Sequence, residues 1–307
     1  MPRVSICIPT YNRGRLVSRT IDSVLSQSET DIELVLLDDA STDDTLEVAA
    51  SYRDPRFRVE QTQRHLGLGG NLNRCLEVAQ APYVKILGDD NLLYPNAISE
   101  LAGALDRFPD ATLATSAWNW INTEGSLLAT TRLLKRAPPD GTLVGLRQIV
   151  TTSWLCRNRI GGPSAVLLRR DALVGLHFNP KYAQMMDWDL WLRLLNRGPL
   201  AYLPEVLCAL RMHDESLTAR NRPFAQSARD LLHISSDLAA SLPELRGAVS
   251  RFALRRLQLL CFLRASQLAV HNFVRRDWQA IAQNVSVAKR ALGMLASPMT
   301  RRAGDEA

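Results

Sequence analysis

The chain has 307 residues, of which 46% are hydrophobic and 22% are charged, and its net charge is +6. These proportions are those of a folded globular protein and exclude disorder and fibrous repeats. The length favours one α/β domain with a smaller appendage. After residue 218 the chain carries 14 Lys or Arg residues against 6 acidic residues. Such a basic tail suits anionic lipid, nucleic acid or an acidic protein, and charge alone does not choose among these partners.

The cysteine pattern indicates a reducing compartment. Five isolated cysteines lie mostly in apolar runs, at Cys7, Cys75, Cys156, Cys208 and Cys261. Their spacing matches no zinc site, and we expect reduced core thiols and no disulfide. No stretch of about 18 apolar residues is free of charge, so no membrane span is predicted. The expected location is the cytoplasm or the inner face of the cytoplasmic membrane.

Short apolar strands alternate with amphipathic helices in the first part of the chain. Strands are predicted at 4–8, 33–37, 57–61 and 83–87, and helices at 15–27, 45–52, 71–79 and 95–108. This alternation predicts a parallel sheet that is covered by helices on both faces. Sheets of this kind bind ligands where their strands end, at the carboxyl edge.

The later part of the chain mixes strands and helices at first and becomes purely helical after about residue 222. A strand is predicted at 112–120, a loop or hairpin at 122–139, a strand at 166–168 with a helix starting at Asp171, and a helix at 188–196. Long helices are predicted at 248–274 and 278–292. We therefore predict a domain of residues 1–220 and a helical region of residues 221–307, with the edge near 218–225.

Acidic pairs follow two of the predicted strands. Asp38 and Asp39 end the second strand, and Asp89 and Asp90 end the fourth. Both pairs should emerge at the same sheet edge, although Asp38 is better interpreted as a turn residue. Like charges there repel unless a cation occupies the cluster. Mg²⁺ or Mn²⁺ on Asp90 with a bound diphosphate would offset the repulsion, while Asp89 could accept hydrogen bonds from ribose hydroxyls.

Several runs of sequence carry a family resemblance. They are residues 4–13 (VSICIPTYNR), 38–43 (DDASTD) and 88–91 (GDDN). In this order and spacing they resemble the family 2 glycosyltransferases, over roughly residues 1–218. The resemblance implies the GT-A fold, a nucleotide-binding, mostly parallel sheet flanked by helices, here followed by a C-terminal helical extension.

The resemblance also implies a nucleotide site. Asp39 would hydrogen-bond the base, Asp89 would contact the ribose, and Asp90 would hold the metal. The nucleobase pocket would be shaped by Pro9, Thr10 and Tyr11. Asn71, which follows the glycine-rich loop 67–70, is either a nucleotide contact or a helix cap.

The implied catalytic base lies in the run 186–191 (MDWDLW). The family more often has Glu-Asp where this chain has Met186-Asp187, and residues two apart on a helix do not share a face. We align Asp187 with the base, and leave Asp189 and a plain helix cap as alternatives. The donor and acceptor pocket would include Gly162, Pro163, Trp188 and Asp189. Trp188 would stack on the sugar or desolvate the carboxylate.

A further run, 210–218 (LRMHDESLT), resembles the family segment whose histidine closes over the metal or the diphosphate. His213 would then be a metal ligand, with a structural histidine as the alternative. Arg211 could counter phosphate charge or form a surface salt bridge.

The function implied is inverting transfer of a sugar from a UDP- or dTDP-linked donor to an acceptor hydroxyl, with Mg²⁺ or Mn²⁺, in bacterial polysaccharide or glycoconjugate synthesis. The acceptor would be a saccharide or a lipid-linked molecule. Arg residues that flank apolar positions in the tail suggest peripheral membrane contact, with helix packing or oligomerisation as the alternative. No nucleic acid is expected, because the tail aromatics show no stacking periodicity. A catalytically inactive nucleotide-sugar binding protein and a sugar-phosphate nucleotidyltransferase remain as alternatives.

Overall fold

The structure is a computed structural model that describes residues 1–151, 158–213, 226–241, 248–274 and 276–296. Its contacts divide the chain into two compact units, Met1–Gln148 with Asn158–His213, and Ile149–Arg157 with Asp214–Ala307. The division was predicted near 218–225. The second unit begins at residue 214 and includes 149–157, a segment that the sequence analysis did not assign to it.

The described part of the first unit is built on one sheet. Its strands are β1 (Val4–Thr10), β2 (Ile32–Asp38), β3 (Phe57–Gln61), β4 (Tyr83–Ile86), β5 (Leu92–Leu93), β6 (Leu113–Ile121), β7 (Leu127–Thr131), β8 (Thr142–Val144), β9 (Val166–Arg169) and β10 (Leu200–Arg211). The helices between residues 1 and 213 are α1 (Gly14–Leu25), α2 (Thr45–Ala50), α3 (Gly67–Val78), α4 (Ala97–Arg107), α5 (Leu146–Thr151) and α6 (Met186–Leu195).

The strand order is β3-β2-β1-β4-β9-β6-β10-β5, with β7 beside β6 and β8 beside β10. The strands β1, β2, β3, β4, β6 and β10 run in one direction, and β9 is antiparallel between β4 and β6. This confirms the predicted mostly parallel sheet flanked by helices. The strand β10 was not predicted, because Pro204 and Glu205 interrupt its apolar pattern where the pairing with β6 shifts register.

The register of the central strands determines where the acidic residues lie at the edge of the sheet. All seven residues of β1 are buried, which explains its continuous apolar pattern. Thr10 pairs with Asp38 at the end of β2, and Cys7 pairs with Ile86 at the end of β4. Tyr11, Asp39 and the Asp89 turn therefore emerge at the same carboxyl edge of the sheet.

Two local predictions were wrong. The helix expected from Asp171 is only a 3-10 turn, Arg170–Leu173. The glycines of residues 67–70 form the first turn of α3, which begins four residues before Asn71.

The cysteines fit the expectation of core thiols where the structure describes them. Cys7, Cys75, Cys208 and Cys261 are buried and are not joined in disulfides. Cys156 lies outside the described residues.

The second unit is helical in its described part, with α7 (Gln226–Ser241), α8 (Ala248–Val274) and α9 (Trp278–Ala296). The bounds of α8 are those predicted, and α9 continues past the predicted end at residue 292. The turn between them contains Arg276, whose φ of 57° is left-handed. Across the described helices, none combines the length and the hydropathy that a membrane crossing requires.

Candidate active site

The loops after β1 and β2 are tied to each other. The backbone N–H of Asn12 donates to Ser41 Oγ at 2.9 Å, and the N–H of Thr42 donates to Asn12 Oδ1 at 2.8 Å. In these reciprocal bonds, a side chain of each loop accepts a backbone N–H of the other loop, outside the pairing of the strands. The bonds therefore hold the loop that contains Tyr11 close to the loop that follows Asp39.

The carboxylate of Asp39 is 2% exposed and lies within hydrogen-bonding distance of four protein groups. Its Oδ1 accepts the N–H of Leu66 at 2.7 Å and lies 3.2 Å from the hydroxyl of Thr62. Its Oδ2 accepts the N–H of Gly67 at 2.9 Å and lies 2.9 Å from Nδ1 of His65. The single proton of the Thr62 hydroxyl is closer to the Arg64 carbonyl, at 2.9 Å, so the main partners of the carboxylate are Leu66, Gly67 and His65.

The predicted base-pocket residues differ in exposure. Pro9 and Thr10 are buried, whereas the Tyr11 ring is 40% exposed. Asn71 is 3% exposed inside α3, and its Nδ2 donates to the carbonyls of Leu37 at 3.1 Å and Thr10 at 3.5 Å. The helix-cap alternative for Asn71 is therefore wrong, because this side chain joins the ends of β1 and β2.

Asp89 and Asp90 lie in a tight turn after β4. A Cβ at Gly88 would come within 2.4 Å of Asn91 Nδ2, so a larger residue there would displace the amide that donates to Ser164. Burial and the charge of Asp90 raise the pKa of Asp89 to about 7. Arg13, whose Nε lies 3.8 Å from Asp89 Oδ1, opposes that shift. The turn thus concentrates negative charge at the sheet edge.

His213 contacts this turn. Its Nε2 lies 2.8 Å from Asp90 Oδ2, and the two side chains are 9% and 17% exposed. In the part of the chain that the structure describes, no group of three or more His, Cys, Asp or Glu side chains is placed to enclose a metal. The pair offers one carboxylate oxygen and one imidazole nitrogen, which suits Mg²⁺ or Mn²⁺ that also binds water and substrate phosphate.

Arg211 is a buried structural residue, 5% exposed. Its Nε donates to the Asp90 carbonyl at 3.0 Å, and its Nη1 donates to the carbonyls of Asn122 at 2.9 Å and Thr123 at 2.7 Å. The interpretation as a surface salt bridge is therefore wrong. Arg211 instead positions the backbone of the acidic turn.

Asp187 lies in the first turn of α6. Its Oδ2 accepts Nδ2 of Asn158 at 2.8 Å, and its Oδ1 accepts the N–H of Trp188 at 2.7 Å. Burial raises the pKa of Asp187 to about 6, and these two hydrogen bonds oppose the shift. A Cβ at Gly162 would stand 3.9 Å from Asp187 Oδ2, so the carboxylate faces a residue without a side chain. Asn158 was not predicted as a site residue, because it belongs to no periodic segment of the sequence.

The neighbours of Asp187 have structural partners. Asp189 is 7% exposed and pairs with Arg193, whose Nη2 lies 2.6 Å from Asp189 Oδ2. Trp188 and Trp191 are 1% and 0% exposed, and Trp191 Nε1 donates to the Gly161 carbonyl at 2.9 Å. The prediction that Trp188 stacks on a sugar is inconsistent with this burial. Both indole rings instead pack in the apolar interior beside α6.

The acidic turn and the turn beside Asp187 are joined. Ser164 Oγ accepts the N–H of Gly88 and Nδ2 of Asn91, both at 2.9 Å. Lys85 is fully buried, and its Nζ donates to the Ser164 carbonyl at 2.6 Å. Burial lowers the pKa of Lys85 to about 8. The two turns therefore form one hydrogen-bonded unit.

The helices α3 and α6 begin side by side. A Cβ at Gly69 would lie 3.2 Å from the sulfur of Met186. Because α3 begins with the N–H groups that bind Asp39 and α6 carries Asp187, the two acidic residues flank the same edge of the sheet. The predicted carboxylates thus belong to one region.

The fold is similar to that of a solved structure. The chain superposes on the crystal structure of S. aureus TarS 1–349 in complex with UDP-GlcNAc, with a TM-score of 0.62 and 15% identity, over 96% of this chain and 92% of that chain. The two proteins therefore share an α/β fold.

Sequence comparison identifies the family. Residues 5–162 match the model described as Glycosyl transferase family 2. An uncharacterized protein of Mycobacterium tuberculosis is 31% identical over 226 residues, which are 71% of this chain and 70% of that protein. The chondroitin synthase of Escherichia coli is 28% identical over 72% of this chain, and the match spans 30% of the synthase. The chain belongs to glycosyl transferase family 2.

Proposed function

We propose that this glycosyltransferase moves a sugar from a UDP- or dTDP-linked donor to an acceptor hydroxyl, with inversion at the anomeric carbon. The proposal rests mainly on the surroundings of Asp187, a half-buried carboxylate that accepts hydrogen bonds from two amide groups and faces Gly162. The turn at Ser164 connects it to Asp89 and Asp90. A single displacement requires these two parts, a base for one proton and a site for the diphosphate.

Asp187 removes the acceptor proton as the acceptor oxygen attacks the anomeric carbon and the bond to the diphosphate breaks on the opposite side. A pKa of about 6 makes Asp187 a stronger base than an ordinary aspartate and leaves it ionised at neutral pH. Asp89 receives the ribose hydroxyls, and Gly162 and Pro163 border the sugar. Asp189, which is paired with Arg193, has a structural role.

Asp90 and His213 would hold Mg²⁺ or Mn²⁺. Such an ion, when bound, supplies positive charge to the departing diphosphate. The fit rests on the short distance between Asp90 Oδ2 and His213 Nε2, 2.8 Å, and on the repulsion between Asp89 and Asp90. Arg13 offsets only part of that repulsion.

A donor screen tests the function. UDP-, dTDP- and GDP-linked sugars are each incubated with the protein, Mn²⁺ and an oligosaccharide mixture, and the products are identified by mass spectrometry. We expect nucleoside diphosphate and a glycosylated product from a UDP- or dTDP-linked donor, and no product when EDTA is added. Binding without any product would indicate the inactive binding protein. Pyrophosphate release from a nucleoside triphosphate and a sugar phosphate would indicate the nucleotidyltransferase.

Polysaccharide or glycoconjugate synthesis is the proposed role. It is supported by the identity with a chondroitin synthase, of which the chain matches less than a third. The acceptor is then a saccharide, free or linked to a lipid.

The proposal includes peripheral contact with an anionic membrane at the turn between α8 and α9. Phe273, Val274 and Trp278 are 63%, 79% and 66% exposed there, and the two rings meet edge to face with centroids 6.0 Å apart. Residues 248–296 contain eight Lys or Arg residues and one acidic residue. Interfacial membrane anchors combine exposed apolar groups and basic side chains in this way.

Vesicle flotation tests this contact. The full chain should float with phosphatidylglycerol vesicles and much less with phosphatidylcholine vesicles. The double variant Phe273→Ser/Trp278→Ser should lower the floated fraction severalfold, because it removes the apolar groups at the turn. Leu292→Ser, on an exposed residue near the far end of α9, is the matched control. Unchanged flotation of the double variant, or its conversion from an oligomer to a monomer, would contradict the membrane contact.

A further inference from the structure

His65 contacts Asp39 and Tyr11, two of the residues that the family resemblance assigns to the nucleobase site. Its Nδ1 lies 2.9 Å from Oδ2 of Asp39, the residue expected to accept a base N–H. Its ring stacks on Tyr11, with centroids 4.1 Å apart and an interplanar angle of 35°. The side chain is 50% exposed, although its partner carboxylate is 2% exposed.

We infer that His65 occupies the place of the nucleobase in the nucleotide-free protein, and that a bound base must displace it. The inference rests on the proposed function, because it takes the nucleotide to bind at this edge of the sheet. His65 then determines which bases are accepted. The incoming base has to replace both the stacking on Tyr11 and the hydrogen bond to Asp39.

The donors of Asp39 differ in how readily they can leave. The N–H groups of Leu66 and Gly67 belong to the backbone at the start of α3, and the Thr62 hydroxyl also contacts the Arg64 carbonyl. The imidazole of His65 is a half-exposed side chain that can rotate away without any change in the backbone. It is therefore the exchangeable donor of the set.

The exchange of His65 for a base depends on which hydrogen-bond donors the base carries. A buried carboxylate that loses a donor is left with an unsatisfied charge, so the replacement must itself donate. Uracil and thymine present a ring N–H at N3, and guanine presents one at N1. Cytosine and adenine carry an amino donor on that edge, but the ring nitrogen beside it is unprotonated, and its lone pair would repel the carboxylate that accepted the amino N–H. Nucleotides of the first group should displace His65, and those of the second group should not.

Calorimetric titration of His65→Ala tests the inference. UDP, dTDP, GDP, CDP, ADP and N3-methyl-UDP are each titrated in the presence of Mn²⁺. The variant should bind UDP, dTDP and GDP more tightly than the wild type, on the order of tenfold, because no protein hydrogen bond to a charged group has to be broken. CDP, ADP and N3-methyl-UDP should stay weak with both proteins. His65→Phe, which keeps a ring on Tyr11 and lacks the donor, should lie between the two.

Gln63→Ala, on an exposed residue of the same loop, is the matched control and should bind like the wild type. Weaker or unchanged binding of UDP, dTDP and GDP by His65→Ala would overturn the inference, since His65 would then be a contact of the bound base or play no part. Tight binding of CDP or ADP by the wild type would overturn the base selection. Failure of every nucleotide to bind both proteins would instead overturn the proposed function, on which the inference rests.

Discussion

Asp187→Asn is expected to lower kcat by about 10²- to 10⁴-fold, while the Kd of the donor stays near the wild-type value. Asn has nearly the shape of Asp but cannot accept the proton of the acceptor hydroxyl. Because Asp187 is assigned to the acceptor, its replacement should not weaken contacts with the nucleotide. Initial rates and calorimetric titration of the donor separate the two quantities.

Asp189→Asn is the comparison variant. Asp189 is paired with Arg193 in α6, so its replacement removes an ion pair and not the base. We expect a lower melting temperature and a rate close to that of the wild type, measured well below the melting temperature. Loss of turnover in Asp189→Asn together with retention in Asp187→Asn would transfer the role of the base to Asp189.

The pH dependence of kcat/KM gives an independent check of the same base. Only ionised Asp187 can accept a proton, so the rate should fall about tenfold per unit as pH drops below about 6, the pKa of this carboxyl. Asn158 donates to the ionised form, and its removal in Asn158→Ala should raise that pKa and move the rising limb to higher pH. A profile that is flat across pH 6, or a limb that does not move in Asn158→Ala, would exclude Asp187 as the base.

Asp90→Ala is expected to abolish metal-dependent donor binding. In the wild type, donor and Mn²⁺ together at about 100 times the Kd should stabilise the folded protein by about 2.7 kcal/mol. The variant loses the carboxylate that pairs with His213, and the added donor and Mn²⁺ should leave its melting temperature unchanged. Thermal unfolding with and without EDTA measures the effect. His213→Ala should reduce the same stabilisation.

Without ligand, Asp90→Ala should be at least as stable as the wild type above pH 7. The pKa of Asp89 in the folded protein is raised to about 7, so ionisation of Asp89 costs stability as pH rises toward 7. The charge of Asp90 contributes to that cost, and its removal should lessen the loss, with little difference near pH 4. Asp110→Ala, on an exposed acidic residue, is the control for this stability measurement.

For the binding measurement, donor binding by Asp90→Ala that still depends on Mn²⁺ would contradict the assignment of Asp90 as a metal ligand.

Much of the fold follows from local sequence. The strands β1 to β4 are short apolar runs bounded by turn residues, and each was located within a few residues of its observed bounds. The helix α8 was predicted with its observed limits. These features depend on the periodicity of burial and on backbone preferences, which act between residues close in the chain. The Asp89 and Asp90 turn was found for the same reason, because it directly follows a buried strand.

Only the tertiary structure determined which partners the site residues contact. His213 and Asp90 lie 123 positions apart, Lys85 and Ser164 lie 79 positions apart, and Asn158 reaches Asp187 from outside any periodic segment. Likewise, the burial of Trp188 and the stacking of His65 on Tyr11 depend on packing between separate elements. Local pattern sets which residues are buried and which end a strand, but a contact between distant residues exists only after the sheet brings their strands together.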